Sequence, residues 1–408
     1  MSFSALATEL AELETRGLRR THRVLESPQS AHVTVDGREF TAFCSNDYLG
    51  LAAHPDLVRA LQEGAQRYGA GAGASHLILG HSVAHHALET ALAGFVELPR
   101  ALLFSTGYMA NIGVVSALLG RSDAVFADKL NHASLNDAAL LSRAAFRRYP
   151  HLDLHALEKL LAASRARRKL VVTDAVFSMD GDIAPVSELL ALCERYDAWL
   201  MLDDAHGFGV LGREGRGVLS HFSIRSPRVI YMATLGKAAG VFGAFIAAEQ
   251  VVIDTLINHA RSYIYTTATP PALSVALMQG LQLIEQGDAL RAHLRQLIAT
   301  LRAGLNGLPW PLMPSDTAIQ PLLIGDNRQA LALSEGLRER GIRVAAIRPP
   351  TVPQGTARLR ITLSAAHTAA DVTRLIEALH EFAQESAHAR SAAFAPSPSG
   401  RGGGRGSA

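Results

Sequence analysis

Short apolar runs alternate with amphipathic segments along most of this chain. From about residue 50, the runs predict strands and the segments between them predict helices. Several runs are continuously apolar, as is typical of strands that are covered on both faces of a parallel sheet. The clearest predicted strands are Ala101–Ser105, Ala124–Asp128, Leu170–Asp174, Trp199–Asp203, Val229–Ala233 and Ala244–Ala247. The pattern predicts an α/β protein whose large domain, residues 49–290, contains a mainly parallel sheet.

The regions on either side of this domain follow other patterns. Residues 1–48 carry leucines at helical spacing over residues 5 to 25 and then a hairpin that turns at Asp36-Gly37. A long helical stretch, roughly Pro271 to Leu305, leaves the sheet domain. Residues 291–385 then predict a smaller C-terminal α+β domain, with strands at Ile319–Ile324, Ile342–Ala345 and Leu359–Leu363.

The last residues, 386–408, are rich in Ala, Ser, Pro, Gly and Arg. Such a segment buries little apolar surface, so we expect a disordered tail. The 48% hydrophobic and 19% charged residues of the whole chain are ordinary for a soluble globular enzyme. The net charge of +2 gives no electrostatic argument for binding nucleic acid or a membrane.

The compartment is predicted from three features. Two cysteines, Cys44 and Cys193, are too few for a disulfide framework and favour a reducing environment. The amino terminus lacks the basic and apolar regions of a signal peptide. No apolar run approaches the roughly 18 residues of a membrane helix. We therefore expect a cytoplasmic protein.

Two strand ends carry the residues on which the functional prediction depends. Asp203 ends a buried strand and precedes Asp204-Ala205-His206-Gly207, and Lys237 lies in a Thr-x-Gly-Lys loop after the strand Val229–Ala233. Ligands of open α/β sheets bind beyond the carboxyl ends of strands, where both residues fall. A lysine that can form a Schiff base and a carboxylate that can keep a ring nitrogen protonated are what pyridoxal phosphate (PLP) requires. The alternative is a surface lysine and an ordinary strand-terminal acid.

Three further segments leave two interpretations open. The turn Ser105–Asn111 opens a helix whose N–H groups can bind phosphate, or it is a plain strand–helix turn. His132 follows a strand end, where an imidazole can stack on a pyridine ring or can be purely structural. Arg358 and Arg360 share one face of a strand, and they are either solvated or directed into a pocket to grip a carboxylate.

Two other motifs receive no function. The segment Tyr68–Ser75 lacks the third glycine of a dinucleotide-binding loop and follows a helix-like segment rather than a strand. His81, His85 and His86 include an i, i+4 pair, but no third ligand with suitable spacing is evident. We therefore expect ordinary histidines and no metal.

The chain resembles the α-oxoamine synthase family of fold-type I PLP enzymes from about residue 5 to 385. The resemblance rests on the segments Ser45–Leu51, Ser105–Asn111, Asn131–Leu135, Asp174–Asp182, Asp203–Gly207, Thr234–Lys237 and Ile347–Pro353. It implies a decarboxylative condensation of an amino acid with an acyl thioester. His206-Gly207 and Arg348–Pro353 most resemble the members that join L-alanine to a pimeloyl thioester in biotin biosynthesis. The departures are an alanine-rich loop at 69–75, His76 after it, and the extra tail.

The resemblance also implies roles in cofactor binding. Lys237, His132 and Asp203 would be catalytic, as the Schiff-base lysine, the residue stacked on the ring and the partner of the ring nitrogen. The remaining cofactor contacts would be His206 and Ser178 to the phenolic oxygen, Ala205 under the ring, and Gly107, Tyr108 and Thr234 around the phosphate. Thr266 or Thr267 would reach the phosphate in the neighbouring subunit, which implies an obligate homodimer with active sites at the interface.

The substrate contacts follow in the same way. Asn46 and Arg360 would hold the carboxylate of the amino acid, and Arg19 and Thr351 would contact the acyl substrate. His132 would also polarise the new carbonyl. Coenzyme A and an acyl carrier protein both remain open as the acyl carrier.

Two rival functions remain. One is another synthase of the family, which would use glycine with an acetyl or succinyl thioester. The other is a non-catalytic regulator with a PLP fold, but the intact Lys237 and Asp203 and the short segment before the sheet domain argue against it.

Overall fold

The structure is a computed structural model that describes residues 3–16 and 18–393, with the backbone alone for 386–393. Its strands, in chain order, are β1 (His32–Val35), β2 (Arg38–Ala42), β3 (Arg100–Phe104), β4 (Ala124–Asp128), β5 (Ala145–Tyr149), β6 (Lys169–Asp174), β7 (Trp199–Asp203), β8 (Val229–Thr234), β9 (Ala244–Ala248), β10 (Ile319–Gly325), β11 (Ile342–Arg343), β12 (Ala345–Ile347) and β13 (Ala357–Thr362).

Helices occupy most of the intervening segments. They are α1 (Ser4–Thr15), α2 (Pro55–Tyr68), α3 (Val83–Phe95), α4 (Gly107–Leu118), α5 (Ala133–Ser142), α6 (Leu154–Ala163), α7 (Val186–Arg195), α8 (Val218–His221), α9 (Gln250–His259), α10 (Arg261–Ile264), α11 (Pro271–Glu285), α12 (Asp288–Gly304), α13 (Asn327–Glu339) and α14 (Ala369–Ala393). A π-helical turn, His76–Gly80, precedes α3. Within the described residues, no helix has both the length and the apolarity needed to cross a membrane.

A seven-stranded sheet in the order β3-β9-β8-β7-β6-β4-β5 forms the centre of the molecule. The run from β8 to β5 is parallel, and β9 is antiparallel to both of its neighbours. The predicted α/β class with a mainly parallel sheet is therefore confirmed. Each of the six predicted central strands is present, to within a residue at its ends. The sequence does not predict β5, because this edge strand exposes its arginines and lacks a buried apolar run.

Successive residues of the central strands pack into two cores, one on each face of the sheet. In β7, Leu200 and Leu202 lie in one core and Met201 lies in the other. Each fully buried side chain of this size stabilises the fold by roughly 1.5–3 kcal/mol. Because both faces are covered, these strands need apolar residues at every position, which explains the continuous apolar runs.

Two three-stranded sheets lie outside the central one, in the orders β1-β2-β11 and β10-β13-β12. The hairpin expected within residues 1–48 is present, and its second strand pairs with β11 from the C-terminal part of the chain. The single predicted strand Ile342–Ala345 is wrong: its residues belong to β11 and β12, which lie in different sheets. Strands of two and three residues are too short to show a periodic pattern of apolar positions in the sequence.

Three helix boundaries differ from the prediction. The leucine pattern over residues 5 to 25 forms a helix only as far as Thr15, where α1 ends. The stretch Pro271 to Leu305 is two helices, α11 and α12, which are separated at Gly287, and the Arg291 guanidinium donates to the carbonyl of Ile284 at the end of α11. The final helix α14 includes residues 386–393, which composition assigned to the tail. The rest of the predicted tail, residues 394–408, lies outside the described residues.

Candidate functional site

A cavity of about 210 Å³ lies where β6, β7 and β8 end and α4 begins. It brings together residues that the sequence assigned to one site: Gly107, Tyr108, His132, Ser178, Asp203, Ala205, His206, Thr234 and Lys237. A neighbouring cavity of about 520 Å³ shares Gly107, Thr234 and Lys237 with it and includes Asn46. Lys237 therefore lies at the junction of the two cavities.

Asp203 is the buried acid of the site. Its Oδ2 accepts a hydrogen bond from Nδ2 of Asn111 at 2.8 Å, and its Oδ1 accepts one from the backbone N–H of Ala205 at 3.1 Å. Asn111 in α4 also donates to Oγ of Ser134 at 2.8 Å, so helices α4 and α5 both orient this carboxylate. Groups locked in this way need little reorganisation when charge develops nearby.

A second acid, Asp174 at the end of β6, lies beside Asp203. Burial and the charge of Asp203 raise the pKa of Asp174 well above its ordinary value. Its Oδ1 accepts the backbone N–H of His132 at 3.1 Å. The His132 ring is held from its other side, because Nδ1 lies 2.7 Å from Oγ of Ser134. Asp174 and Ser134 thus position His132.

A chain of hydrogen bonds connects Lys237 to Arg360. Nζ of Lys237 lies 2.8 Å from Nε2 of His206, and Nδ1 of His206 contacts the Tyr48 hydroxyl at 2.5 Å. That hydroxyl and Nη2 of Arg360 both reach Oδ1 of Asn46, at 3.3 and 3.2 Å. All contacts are satisfied when the hydroxyl donates to Asn46, Nδ1–H of His206 donates to the Tyr48 oxygen, and Lys237 donates to Nε2 of His206.

The charges along this chain are set by burial. Burial and the nearby Lys237 lower the pKa of His206 well below its usual value, so this imidazole is neutral. Burial also lowers the pKa of Lys237 to about 8, although the charge of Asp203 opposes the shift. An amine with this pKa exchanges a proton readily near neutral pH.

The two arginines of β13 have different roles. Both are buried rather than solvated. Arg358 donates to Oδ1 of Asp180 at 2.7 Å and to the carbonyl of Met179, so its charge is already paired. Arg360 donates Nε to the carbonyl of Ser178 and Nη2 to Asn46. Of the two, only Arg360 reaches the residues of the site.

The amino terminus of α4 forms another part of the wall of the Lys237 cavity. Thr106 caps the helix by accepting the Met109 N–H at 3.2 Å, so Gly107 and Tyr108 face the cavity at the first turn. Thr234 donates to the carbonyl of Gly243 at 3.0 Å, which holds its side chain beside this turn. The helix dipole and the backbone N–H groups suit an anion here.

His151 holds the loop that carries Ser178. Its Nδ1 contacts Asp128 at 3.1 Å and its Nε2 contacts Asp182 at 2.8 Å. Burial alone would lower the pKa of His151, but the hydrogen bonds and charges of Asp128 and Asp182 raise it to about 10. A protonated His151 therefore ties the Ser178 loop to the end of β4.

The contacts of His151 with Asp128 and Asp182, which together form a clamp on the Ser178 loop, predict a pH dependence of stability. Because the folded pKa of His151 lies above the unfolded value of 6.5, its stabilisation is fully present below that value and is lost as pH rises through about 10. We expect His151→Gln to cost roughly 1.5–3 kcal/mol in the free energy of unfolding at low pH and progressively less on the alkaline side. Denaturant unfolding at several pH values measures this; a difference that stays constant with pH would contradict the clamp.

Arg19 and Thr351 line a separate outer pocket. Its volume is about 750 Å³, and it lies between α1 and the segment 346–351, with Leu10, Leu13 and Ile347 as apolar walls. Arg19 pairs with Glu14 at 2.8 Å, and Thr351 lies 3.5 Å from Nη2 of Arg20. The predicted acyl contacts are thus together, outside the Lys237 cavity.

Two predicted residues lie elsewhere. Thr266 and Thr267, after α10, are not among the residues that line the cavity within the described chain. Sequence reasoning also gave no role to Tyr48, Ser134 and Asp174. All three lie within segments on which the resemblance rests, but their partners are not adjacent in sequence: His206 is 158 residues from Tyr48, and Asn111 is 23 residues from Ser134.

Known proteins resemble this chain over nearly its whole folded length. Residues 38–379 match the family described as aminotransferase class I and II. The 8-amino-7-oxononanoate synthase of Nitrosospira multiformis is 68% identical over 372 residues, which are 90% of this chain and 94% of the relative. That of Nitrosomonas eutropha is 66% identical over 381 residues, 93% and 98% of the two chains.

Solved structures agree in fold. The serine palmitoyltransferase of Sphingomonas wittichii superposes with a TM-score of 0.88 at 31% identity, covering 95% of this chain and 98% of its own. A PLP-bound SPT structure has the same TM-score and coverage at 29% identity. The 8-amino-7-oxononanoate synthase of Francisella tularensis has a TM-score of 0.74 at 31% identity, covering 86% and 99%.

Proposed function

Because the chain belongs to the aminotransferase class I and II family, together with curated 8-amino-7-oxononanoate synthases, we propose that it condenses L-alanine with a pimeloyl thioester. The product is 8-amino-7-oxononanoate, an intermediate of biotin biosynthesis, and carbon dioxide and a free thiol are released. The observation that carries the proposal is the cavity in which Lys237, Asp203 and His132 meet.

The residues of this cavity fit pyridoxal phosphate, which is the cofactor. Lys237 would hold it covalently, Asp203 would pair with the ring nitrogen and the first turn of α4 would bind the phosphate. His132 would stack on the ring, and His206 and Ser178 would bind its phenolic oxygen. When bound, the cofactor supplies an electron sink for the bonding electrons at the amino acid Cα.

The chain's own residues then move one proton and orient two substrates. Lys237, with its pKa of about 8, is placed to take the proton from Cα of alanine and later to return one. A bond forms between that Cα and the thioester carbonyl carbon, and the C–S bond breaks to release a thiolate, which takes a proton from solvent to become the free thiol. The carboxyl group of alanine leaves as carbon dioxide, and His132 polarises the new carbonyl.

Arg360 and Asn46 provide the site for the alanine carboxylate. Arg360 is buried and keeps further N–H groups beyond those bound to Ser178, Thr362 and Asn46. A buried guanidinium favours a planar carboxylate, so this site selects an α-amino acid and leaves its side chain unspecified.

The outer pocket supports a dicarboxylic acyl chain. Its leucine and isoleucine walls suit methylene groups, and Arg19 and Arg20 at its edge suit a terminal carboxylate. A charge-assisted contact there is worth roughly 1.5–3 kcal/mol relative to an uncharged acetyl end. These apolar walls can contact more methylene groups of a pimeloyl chain than of a succinyl group, which favours pimeloyl.

A substrate panel tests the proposal. We expect L-alanine with pimeloyl thioester to give the highest kcat/KM, measured as thiol release and carbon dioxide formation, against glycine with acetyl and succinyl thioesters. Pimeloyl-coenzyme A and a pimeloyl acyl carrier protein form two arms that identify the carrier. A clear preference for glycine with acetyl or succinyl thioester would overturn the substrate assignment and leave the PLP chemistry standing.

We also propose that the protein is a cytoplasmic homodimer whose subunits share their active sites. Ile78, Leu79 and Tyr265 are 79%, 86% and 71% exposed, an unusual cost for apolar side chains in water. The backbone N–H of Ala268 donates to the carbonyl of Ala74, so the segments that carry these residues are adjacent. A second copy on this surface would bury them and bring Thr266 and Thr267 towards the partner's phosphate site.

Mixing two inactive variants tests the shared site. Lys237→Ala lacks the lysine, and the double variant Thr266→Ala/Thr267→Ala lacks the contributed hydroxyls. In a mixed dimer, one of the two sites has both the lysine and the threonines that the partner contributes. Random pairing should therefore restore about a quarter of the sites. Activity is measured before and after unfolding and co-refolding the mixture. Recovery no greater than the sum of the separate variants would contradict sharing.

A further inference from the structure

Four histidines and a buried glutamate lie together at the start of α3, outside the cavities described above. They are His76, His81, His85, His86 and Glu89. Nδ1 of His76 lies 3.1 Å from Nδ1 of His81, and the His76 ring stacks on Tyr263 with centroids 4.9 Å apart. Burial lowers the pKa of His76 to about 4 and also lowers the pKa values of His81 and His85.

Among these side chains, His85 is a structural residue. Its Nδ1 accepts the backbone N–H of Ser82 at 3.1 Å, so its proton lies on Nε2. Nε2–H donates to the carbonyl of Thr269 at 2.8 Å. Both ring nitrogens are occupied, and His85 has no lone pair to offer a further ligand.

His81, His86 and Glu89 are arranged differently. One ligand atom from each lies within 4.8 Å of the other two. Oε1 of Glu89 accepts the backbone N–H of Leu103 at 3.0 Å, which fixes the carboxylate. Oε2 is 3.8 Å from Nε2 of His81, an ion-pair distance that is longer than a hydrogen bond. The side chain of Glu89 is 8% exposed, and a buried carboxylate favours a cation beside it.

We propose that His81, His86 and Glu89 form a binding site for a divalent transition metal, with Zn²⁺ the preferred ion. His86 and Glu89 are one turn apart on the same face of α3, and the exposed His86 gives the ion access from solvent. Two ligands of tetrahedral zinc are about 3.4 Å apart, so the 3.8 Å between His81 and Glu89 requires little movement. Two imidazoles and a carboxylate favour zinc over magnesium or calcium.

His76 completes the site as a positioning residue. When Nδ1–H of His81 donates to Nδ1 of His76, the lone pair of His81 Nε2 is directed towards Glu89. Metal-bound histidines commonly have their second nitrogen fixed by such a partner. The sequence did not predict the site because His81 lies before the start of α3, so its distance from His86 and Glu89 depends on how the chain enters the helix.

The test is a zinc titration of the untagged holoenzyme after removal of metals with a chelator. Calorimetry should show one Zn²⁺ per chain, and metal analysis after gel filtration should give the same ratio. We expect His76→Phe, which retains an aromatic ring over Tyr263, to weaken binding by roughly 10–100-fold. His86→Ala removes a ligand from an exposed position and should weaken binding by more than that.

The matched control is His155→Ala, which removes an exposed histidine from α6. It should bind zinc as the unaltered protein does, and zinc should raise the melting temperature of both but not that of His86→Ala. The proposal is overturned if the unaltered protein binds no zinc, or if His86→Ala binds it with unchanged stoichiometry and affinity. Circular dichroism of each variant verifies that the fold is retained.

Discussion

The Lys237→Ala variant is expected to fold and to form no detectable product. The amine is the only described group of the cavity placed both to hold the cofactor aldehyde and to exchange a proton at the substrate Cα. Its removal leaves Nε2 of His206 without its donor and deletes a buried cation, neither of which supports the hydrophobic cores. Product formation and the visible absorbance of the bound cofactor are the measurements.

Lys159→Ala is the matched control, because Lys159 is an exposed lysine on α6. It should retain both turnover and the absorbance band. Unchanged activity of Lys237→Ala would refute the assignment of the site. Loss of activity accompanied by loss of the melting transition would show that the lysine is needed for folding instead.

The Asp203→Asn variant is expected to lose turnover by on the order of 10²-fold or more. The amide cannot keep the ring nitrogen protonated, so the electron sink is weakened. The NH2 group introduced by the substitution would also face another donor, either the Asn111 amide or the Ala205 N–H, and these two groups cannot form a hydrogen bond with it. Steady-state rates, cofactor content and the melting temperature should be measured together.

Asp174→Asn provides a sharp comparison. Burial and the Asp203 charge raise the pKa of Asp174, and an amide oxygen can still accept the His132 N–H, so this variant should lose far less activity. In Asp203→Asn the charge that raises the pKa of Asp174 is gone, and Asp174 ionises more readily. Equal losses in the two single variants would contradict the assignment of the charged role to Asp203.

The sequence predicted the parts of the site that follow strand ends. Asp203 and Lys237 could be placed because continuous apolar runs locate parallel strands, and the carboxyl ends of such strands meet at one edge. Tyr48 and Asn111 could not be assigned, since their roles depend on partners that are 158 and 92 residues away along the chain. The periodicity of apolar residues indicates which face of an element is buried, but it does not indicate which distant side chain packs against that face.

The elements that the sequence did not predict also depend on contacts between residues that are not adjacent in sequence. At the break between α11 and α12, the side chain of Arg291 reaches back to the end of the preceding helix. The charged edge strand β5 is stabilised by its neighbour β4 rather than by its own pattern. Glu89 is indistinguishable in sequence from a surface glutamate, and only the packing of α3 against β3 buries it.

The charge of Arg360 acts on Lys237 as well as on an incoming carboxylate. This guanidinium helps to lower the pKa of Lys237, after the larger effect of burial. A carboxylate bound to Arg360 cancels part of that field, so the pKa of the lysine rises and the free amine becomes the stronger base. Because such coupling is reciprocal, the protonation state of the lysine also alters the affinity for the amino acid. Binding of a carboxylate at Arg360 thus changes the proton affinity of Lys237 before any covalent bond is made or broken.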